Sequence, residues 1–224
     1  MKPLQLTLAV PVELLVLIGG GEFSFGETRE IDEFLVRHLP ADRKTIAFLP
    51  TASGSAEYAT HLGKYFKQID PAIETINVPI YRGRDVRRAR SLDQLRSAGI
   101  IYIGGGVTNT LLSTIRESPA EEALREAASM GAVIAAIGAA AASFGIHARD
   151  MHSPASALPA LGWIAQTVID TGFDPQDDTM LRRLMSLPDA KIGIGIPPKT
   201  AMAIDSGGNT TLLGSDSIAL FRKP

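Results

Sequence analysis

Ile134-Ala-Ala-Ile-Gly-Ala-Ala-Ala-Ala-Ser-Phe144 is the stretch on which the fold turns. The apolar run of a buried strand meets one glycine, then four alanines able to start a helix. That order is the frame of a nucleophile elbow, a sharp strand-to-helix turn on which hydrolases present a reactive side chain between small neighbours. With Gly138 as the first glycine of the frame, the reactive position falls on Ala140 and the second small position on Ala142. A methyl group cannot attack a carbonyl. The frame is present and its nucleophile is missing.

Outward from this stretch the same unit recurs. Glu13-Leu-Leu-Val-Leu-Ile18 runs into Gly19-Gly20-Gly21, and Ile100-Ile-Tyr-Ile103 runs into Gly104-Gly105-Gly106. Continuous apolar runs of this kind suit parallel strands covered on both faces. Thr45–Leu49, Ile73–Pro79 and Ala132–Ile137 read as further strands. Helices are predicted over 31–39, with Ile31, Phe34, Leu35 and Leu39 on one face, and over 56–68, with Tyr58, Leu62, Tyr65 and Phe66. Others follow over 91–98, with Ser91 as N-cap, around Leu111-Leu112, and over 120–129. Past residue 150 the rhythm changes to short strands at 192–196, 200–204, 210–213 and 217–221, with Ser206-Gly-Gly-Asn209 as a turn. The expected architecture is α/β: three layers, an open mostly parallel sheet with helices on both faces, and C-terminal hairpin strands at one edge. One domain over 1–224 accounts for the whole.

The chain has 224 residues, 45% of them hydrophobic and 21% charged, with a net charge of −2. That apolar content suffices for a core without staples and excludes a disordered chain. The near-neutral balance argues against nucleic acid, whose binding rests on a basic surface. Cysteine is absent, which removes a disulfide framework, thiolate metal sites and a cysteine nucleophile. Two stretches imitate membrane segments. Residues 1–20 are interrupted by Pro11 and Glu13, while the 20 uncharged residues from Ala127 to Ile146 are mostly Ala, Gly and Ser. The second reads better as a buried strand turning into a helix than as a span, so no membrane association and a cytoplasmic location are expected. None of the glycine turns matches a dinucleotide or P-loop pattern, and no cofactor is expected.

Taken together, several motifs resemble the dipeptidase E and cyanophycinase group of serine peptidases, relatives of the class I glutamine amidotransferase (flavodoxin-like) fold. They are Leu17-Ile-Gly-Gly-Gly-Glu22, Phe48-Leu-Pro-Thr-Ala-Ser53 with Tyr58, Ile101-Tyr-Ile-Gly-Gly-Gly106, the Gly138 turn, Val168-Ile-Asp170 with Phe173, and Ile192-Gly-Ile-Gly-Ile196. The resemblance covers residues 14–221. It implies a Gly-x-Ser-Ala-Gly nucleophile motif on Gly138–Ala142, with Ala140 at the serine and Ala141 retained. The family's histidine, in an Asp-Gln-His-Phe stretch, falls on Gly172 of Asp170-Thr-Gly-Phe173. The acid of the cyanophycinase branch falls on Pro198. In the other branch the acid follows soon after the nucleophile, where Asp150 is the nearby candidate.

Loss of nucleophile or base in a Ser-His-acid enzyme costs on the order of a millionfold in rate. Two such losses make the expected protein a catalytically inactive homologue. What the resemblance leaves is an oxyanion hole of backbone N–H groups at Gly105 or Gly106 and Ala141, beside a helix start that favours negative charge. The expected partner is a small acidic ligand or peptide; a scaffold role and homo-oligomer formation are compatible with it. The alternative is a hydrolase with relocated residues, Ser143, His147 and Asp150, the first two sharing a face if the helix continues. His147, Asp150 and His152 lack a metal-site pattern, so no metal is expected. Arg82, Arg84, Arg87, Arg88 and Arg90 form either an anion-binding stripe or a solvated surface. His38 and His61 read as surface residues. Arg182 and Arg183 either line the crevice or pair with Asp177 and Asp178.

Overall fold

A computed structural model describes residues 4–153 and 155–223 of the chain. The strands β1 (Leu14–Ile18), β2 (Thr45–Leu49), β3 (Glu74–Asn77), β4 (Ile100–Ile103) and β5 (Val133–Ile137) are parallel, as the apolar runs of β1, β4 and β5 predict. Helices α1 (Arg29–Arg37), α2 (Glu57–Ile69), α3 (Ala89–Ser97), α4 (Thr108–Ile115) and α5 (Pro119–Ser129) alternate with them. After β5 come a single-turn helix α6 (Ala139–Ala142), a small hairpin β6 (His147–Arg149) and β7 (Ala157–Pro159), then β8 (Thr167–Thr171) and α7 (Thr179–Ser186). The chain closes with β9 (Ile192–Ile196), β10 (Thr200–Asp205), β11 (Thr210–Gly214) and β12 (Ala219–Arg222).

The main sheet has the order β11-β10-β1-β5-β4-β2-β3. Its antiparallel edge is the hairpin β10–β11, turned through residues 206–209. The other two C-terminal strands do not join it: β9 and β12 pair with β8 in a separate three-stranded sheet.

Strand pleating sorts side chains to two faces. Leu15, Leu17, Ile101, Ile103 and Ile134 pack with Leu95, Leu111 and Leu124 from α3, α4 and α5. On the other face Val16, Ile18, Phe48, Tyr102 and Val133 pack with Ile31 and Leu35 of α1 and with Leu62 and Phe66 of α2. A third cluster, including Val168, Phe173, Leu181 and Leu184, lies between α7 and the small sheet.

The membrane-like stretch 127–146 is divided among the end of α5, β5 and α6. Among the described residues no helix is long and apolar enough to cross a membrane. Residues 1–3 of the other such stretch lie outside the described residues. From residue 4 onward it packs as core: Leu6, Val10 and Val12 are buried, and Leu8 bridges to Ile164. Ser91 is not a cap. A short 3-10 turn at Asp85–Arg87 leads directly into α3, so Arg88 holds the N-cap position and Ser91 is buried within the helix.

Candidate functional site

The carboxyl ends of β1, β2, β4 and β5 converge at one edge, where ligands of open α/β sheets bind. A cavity of about 230 Å³ opens there. Phe48, Tyr58 and Ile137 contribute its apolar lining, Ser53 and Ser55 its hydroxyls, and Gly20, Gly21, Gly104 and Gly105 bare backbone.

The turn between β5 and α6 has its apex at Gly138, with φ 58° and ψ −127°. This is the strained conformation that an elbow imposes, and glycine relieves the cost of a positive φ. A Cβ at Gly138 would meet nothing within 4 Å. Ala140 differs on both counts: it lies inside α6 and is 0% exposed. By backbone geometry the reactive position is therefore Gly138, and the small flanking positions two residues away are Ala136 and Ala140.

Gly172 and Pro198 meet this apex through one backbone segment. Gly138 N–H donates to the carbonyl of Ile18 at 2.9 Å, and Gly172 N–H donates to the carbonyl of Gly19 at 2.8 Å. Lys199 N–H, just past Pro198, donates to the carbonyl of Gly20 at 2.8 Å. Gly172 has φ 63°, and a Cβ on it would also meet open space. The apex Gly138 and the positions to which the resemblance assigns base and acid, Gly172 and Pro198, are thus gathered around Ile18–Gly20, and none carries a reactive side chain; Ala140, to which it assigns the nucleophile, is buried in α6. Gly19 has no freedom to be anything larger, since its Cβ would lie 2.1 Å from the carbonyl oxygen of Pro197.

Of the expected oxyanion residues, Gly105 lines the cavity. Gly106 is turned against the 50–54 turn, where its Cβ would sit 2.3 Å from the carbonyl oxygen of Ala52. Ala141 is buried in α6. The N–H group that directly follows the apex belongs to Ala139, a residue the sequence reading did not single out.

Ser143, His147 and Asp150 use their hydrogen bonds elsewhere. α6 stops at Ala142, so Ser143 and His147 do not share a helical face. Ser143 is 0% exposed and donates to the carbonyl of Ala139 at 2.8 Å. His147, on β6, pairs with Asp189 at 2.9 Å. Asp150 accepts from the Asn109 amide at 2.8 Å, from the backbone N–H of His152 and Ser153, and from the Ser156 hydroxyl. The Asn109 amide and these other donors bring its pKa down to about 2. Among the described residues no group of three His, Asp or Glu side chains is placed to hold a metal ion. Arg182 pairs with Asp178 at 2.7 Å, and Arg183 donates to the carbonyl of Ala155. His38 and His61 are exposed.

Burial, reinforced by Glu22 and Asp32, pushes the Tyr58 phenol well above its ordinary range. Burial likewise raises Asp170, two residues before Gly172, to about 6, against the opposing pull of Arg149. Beside the site lies a feature that the hydropathy pattern gave no reason to expect. Asp32, on the inner face of α1, is 0% exposed. Its Oδ2 accepts from Thr28 at 2.6 Å and Tyr65 at 2.9 Å. The i, i+4 spacing of Thr28 and Asp32 was its only trace in the sequence.

A crystal structure of a peptidase from an acI-B1 Actinobacterium has this fold, with a TM-score of 0.79 at 20% identity, covering 94% of this chain and 91% of that one. The structure of a putative Peptidase E protein from Listeria monocytogenes EGD-e aligns with a TM-score of 0.54 at 16% identity, covering 95% of this chain and all of the other. In sequence, the chain is 29% identical over 154 residues to "Uncharacterized peptidase YgaJ" of Bacillus subtilis (strain 168). That match spans 67% of this chain and 64% of the relative, less than two thirds of its length. The family model for peptidase family S51 matches residues 15–212, from β1 into β11, and the chain belongs to that family.

Proposed function

We propose that this chain is a non-catalytic member of peptidase family S51 that binds a small carboxylate or a peptide in the elbow crevice. One observation carries the reading. The apex residue Gly138 and the converging Gly172 both lack side chains, and open space stands before each. A Ser-His-acid mechanism needs a hydroxyl at the first and an imidazole at the second. The binding half rests on what glycine substitution leaves intact: bare backbone at Gly20, Gly21 and Gly105, and the hydroxyls of Ser53, Ser55 and Tyr58 around the cavity. Backbone N–H groups in such turns suit anions. The compartment follows from no residue of the site; a cytoplasmic location is part of the proposal.

Calorimetry with acidic dipeptides and free amino acids tests the binding, with Gly105→Val and Ser55→Trp as blocked variants. Saturable heat in the parent, lost in both variants, is expected. No binding by the parent refutes the ligand-binding role. A fluorophosphonate probe tests the other half, and the parent is expected to remain unlabelled.

A further inference from the structure

The arginine-rich stretch 82–90 plays no part in the elbow crevice, yet its first member, Arg82, lines a second cavity. This cavity measures about 650 Å³ and shares no lining residue with the first. A volume of that size is typical of small-molecule sites. Its walls are the 81–83 loop, one side of α4 with Arg116 just beyond it, and His152, Leu158 and Pro159.

Both flanking loops are pinned by carboxylates that are not part of the cavity lining. Asp85, buried, accepts the backbone N–H of Tyr81 and Arg82 at 3.1 Å each and pairs with Arg88 at 2.9 Å. Asp150 is held by Asn109, whose side-chain oxygen in turn accepts from Met151 N–H at 2.8 Å. With these acids spent inside the loops, the lining contains Arg82, Arg116 and His152 and not one carboxylate. Arg116 also pairs with Glu117, but a guanidinium has five donors and keeps some free. Ser113 and Thr110 add hydroxyls, while Tyr81, Leu112 and Leu158 add apolar surface. In a chain of net charge −2, this is a local concentration of positive charge over an apolar wall.

We infer that this second cavity is a binding site for a small organic phosphate monoester with a flat apolar body. Two guanidinium groups match a dianionic phosphate, which each can grip through paired N–H donors. The Tyr81 ring and the leucines take the body of the ligand. The site is independent of the elbow crevice and of the ligand proposed there.

The test is calorimetric titration of the full chain with phenyl phosphate, inorganic phosphate and benzoate. Phenyl phosphate is expected to bind saturably, about tenfold or more tighter than either other probe. Arg82→Glu and Ser113→Trp, both at exposed positions that leave the fold intact, are each expected to weaken it by about tenfold or more. Ser55→Trp, which blocks the elbow crevice, is expected to change nothing. The inference is overturned by absent saturation, by equal affinity for inorganic phosphate or benzoate, or by indifference to both cavity variants. Loss of binding in Ser55→Trp overturns it too, by placing the probe in the elbow crevice.

Discussion

Replacing Asp32 by Asn should flatten one component of the protein's stability against pH. Asp32 is fully buried, and its Oδ1 has no hydrogen-bond partner among the described residues. Burial outweighs the help of Thr28, Tyr65 and Arg29 and raises its pKa from 3.8 to about 6. At roughly 1.4 kcal/mol per pH unit, that difference corresponds to about 3 kcal/mol. The folded state binds the proton more tightly than the unfolded state does. The stabilisation is therefore complete below pH 3.8, declines as pH rises through about 6, and is absent above it. Asn keeps an acceptor for Thr28 and Tyr65 but cannot ionise. Urea unfolding of parent and Asp32→Asn, measured from about pH 3.5 to about pH 7.5, gives the difference in stability at each pH. Groups common to both chains, including Asp170, cancel. The parent should lose about 3 kcal/mol relative to the variant across that interval. A difference that stays constant with pH would refute the reasoning, because it would mean that Asp32 pays no penalty for ionising in place.

The remaining predictions concern the elbow and its supports. Gly138→Ser alone should fold, with a melting temperature lowered by the strain of its positive φ, about 1–2 kcal/mol, and should resist fluorophosphonate because Gly172 offers no base; labelling would refute the non-catalytic reading. Ala140→Ser should also stay unlabelled, since its hydroxyl would be buried inside α6, and mass spectrometry of probe-treated protein checks this. Ser143→Ala should cost about 1 kcal/mol for its lost hydrogen bond, read by urea unfolding, with no change in probe reactivity or ligand binding. Gly19→Ala should prevent soluble expression or cost more than about 3 kcal/mol, because its Cβ would lie 2.1 Å from a carbonyl oxygen.

The parallel core was legible because β1, β4 and β5, buried on both faces, are written as unbroken apolar runs, and each ends in glycine. The segment from 147 to 186 was harder to read. β6 and β7 have three residues each, too few for a periodic signal, and β8 becomes a strand by pairing with β9. α7 did carry a signal: Leu181, Leu184 and Met185 fall at helical spacing and are the residues it buries. At the elbow, the sequence offered a single glycine and invited a count starting from it. Flanking positions in such a turn need only be small, which Ala136 and Ala140 satisfy. The apex needs a positive φ, and without a serine to hold, glycine is the residue that adopts it without strain. The same glycine that marked the frame is thus its reactive position. The relocated trio failed for a different reason, since spacing along a helix has no meaning where the helix lasts one turn.

The placement of β1 sets a condition on how the protein is made. This fully buried strand, near the amino terminus, bonds on one side to β5 and on the other to β10, with Leu14 opposite both Val133 and Asp205. A ribosome that has delivered half of the chain has supplied neither neighbour. Until residues 200–205 emerge, the most hydrophobic ribbon of the molecule has an open side, and closure over so long a span is slow. Nascent chains halted before that point are the species in which chaperone engagement and misassociation should concentrate.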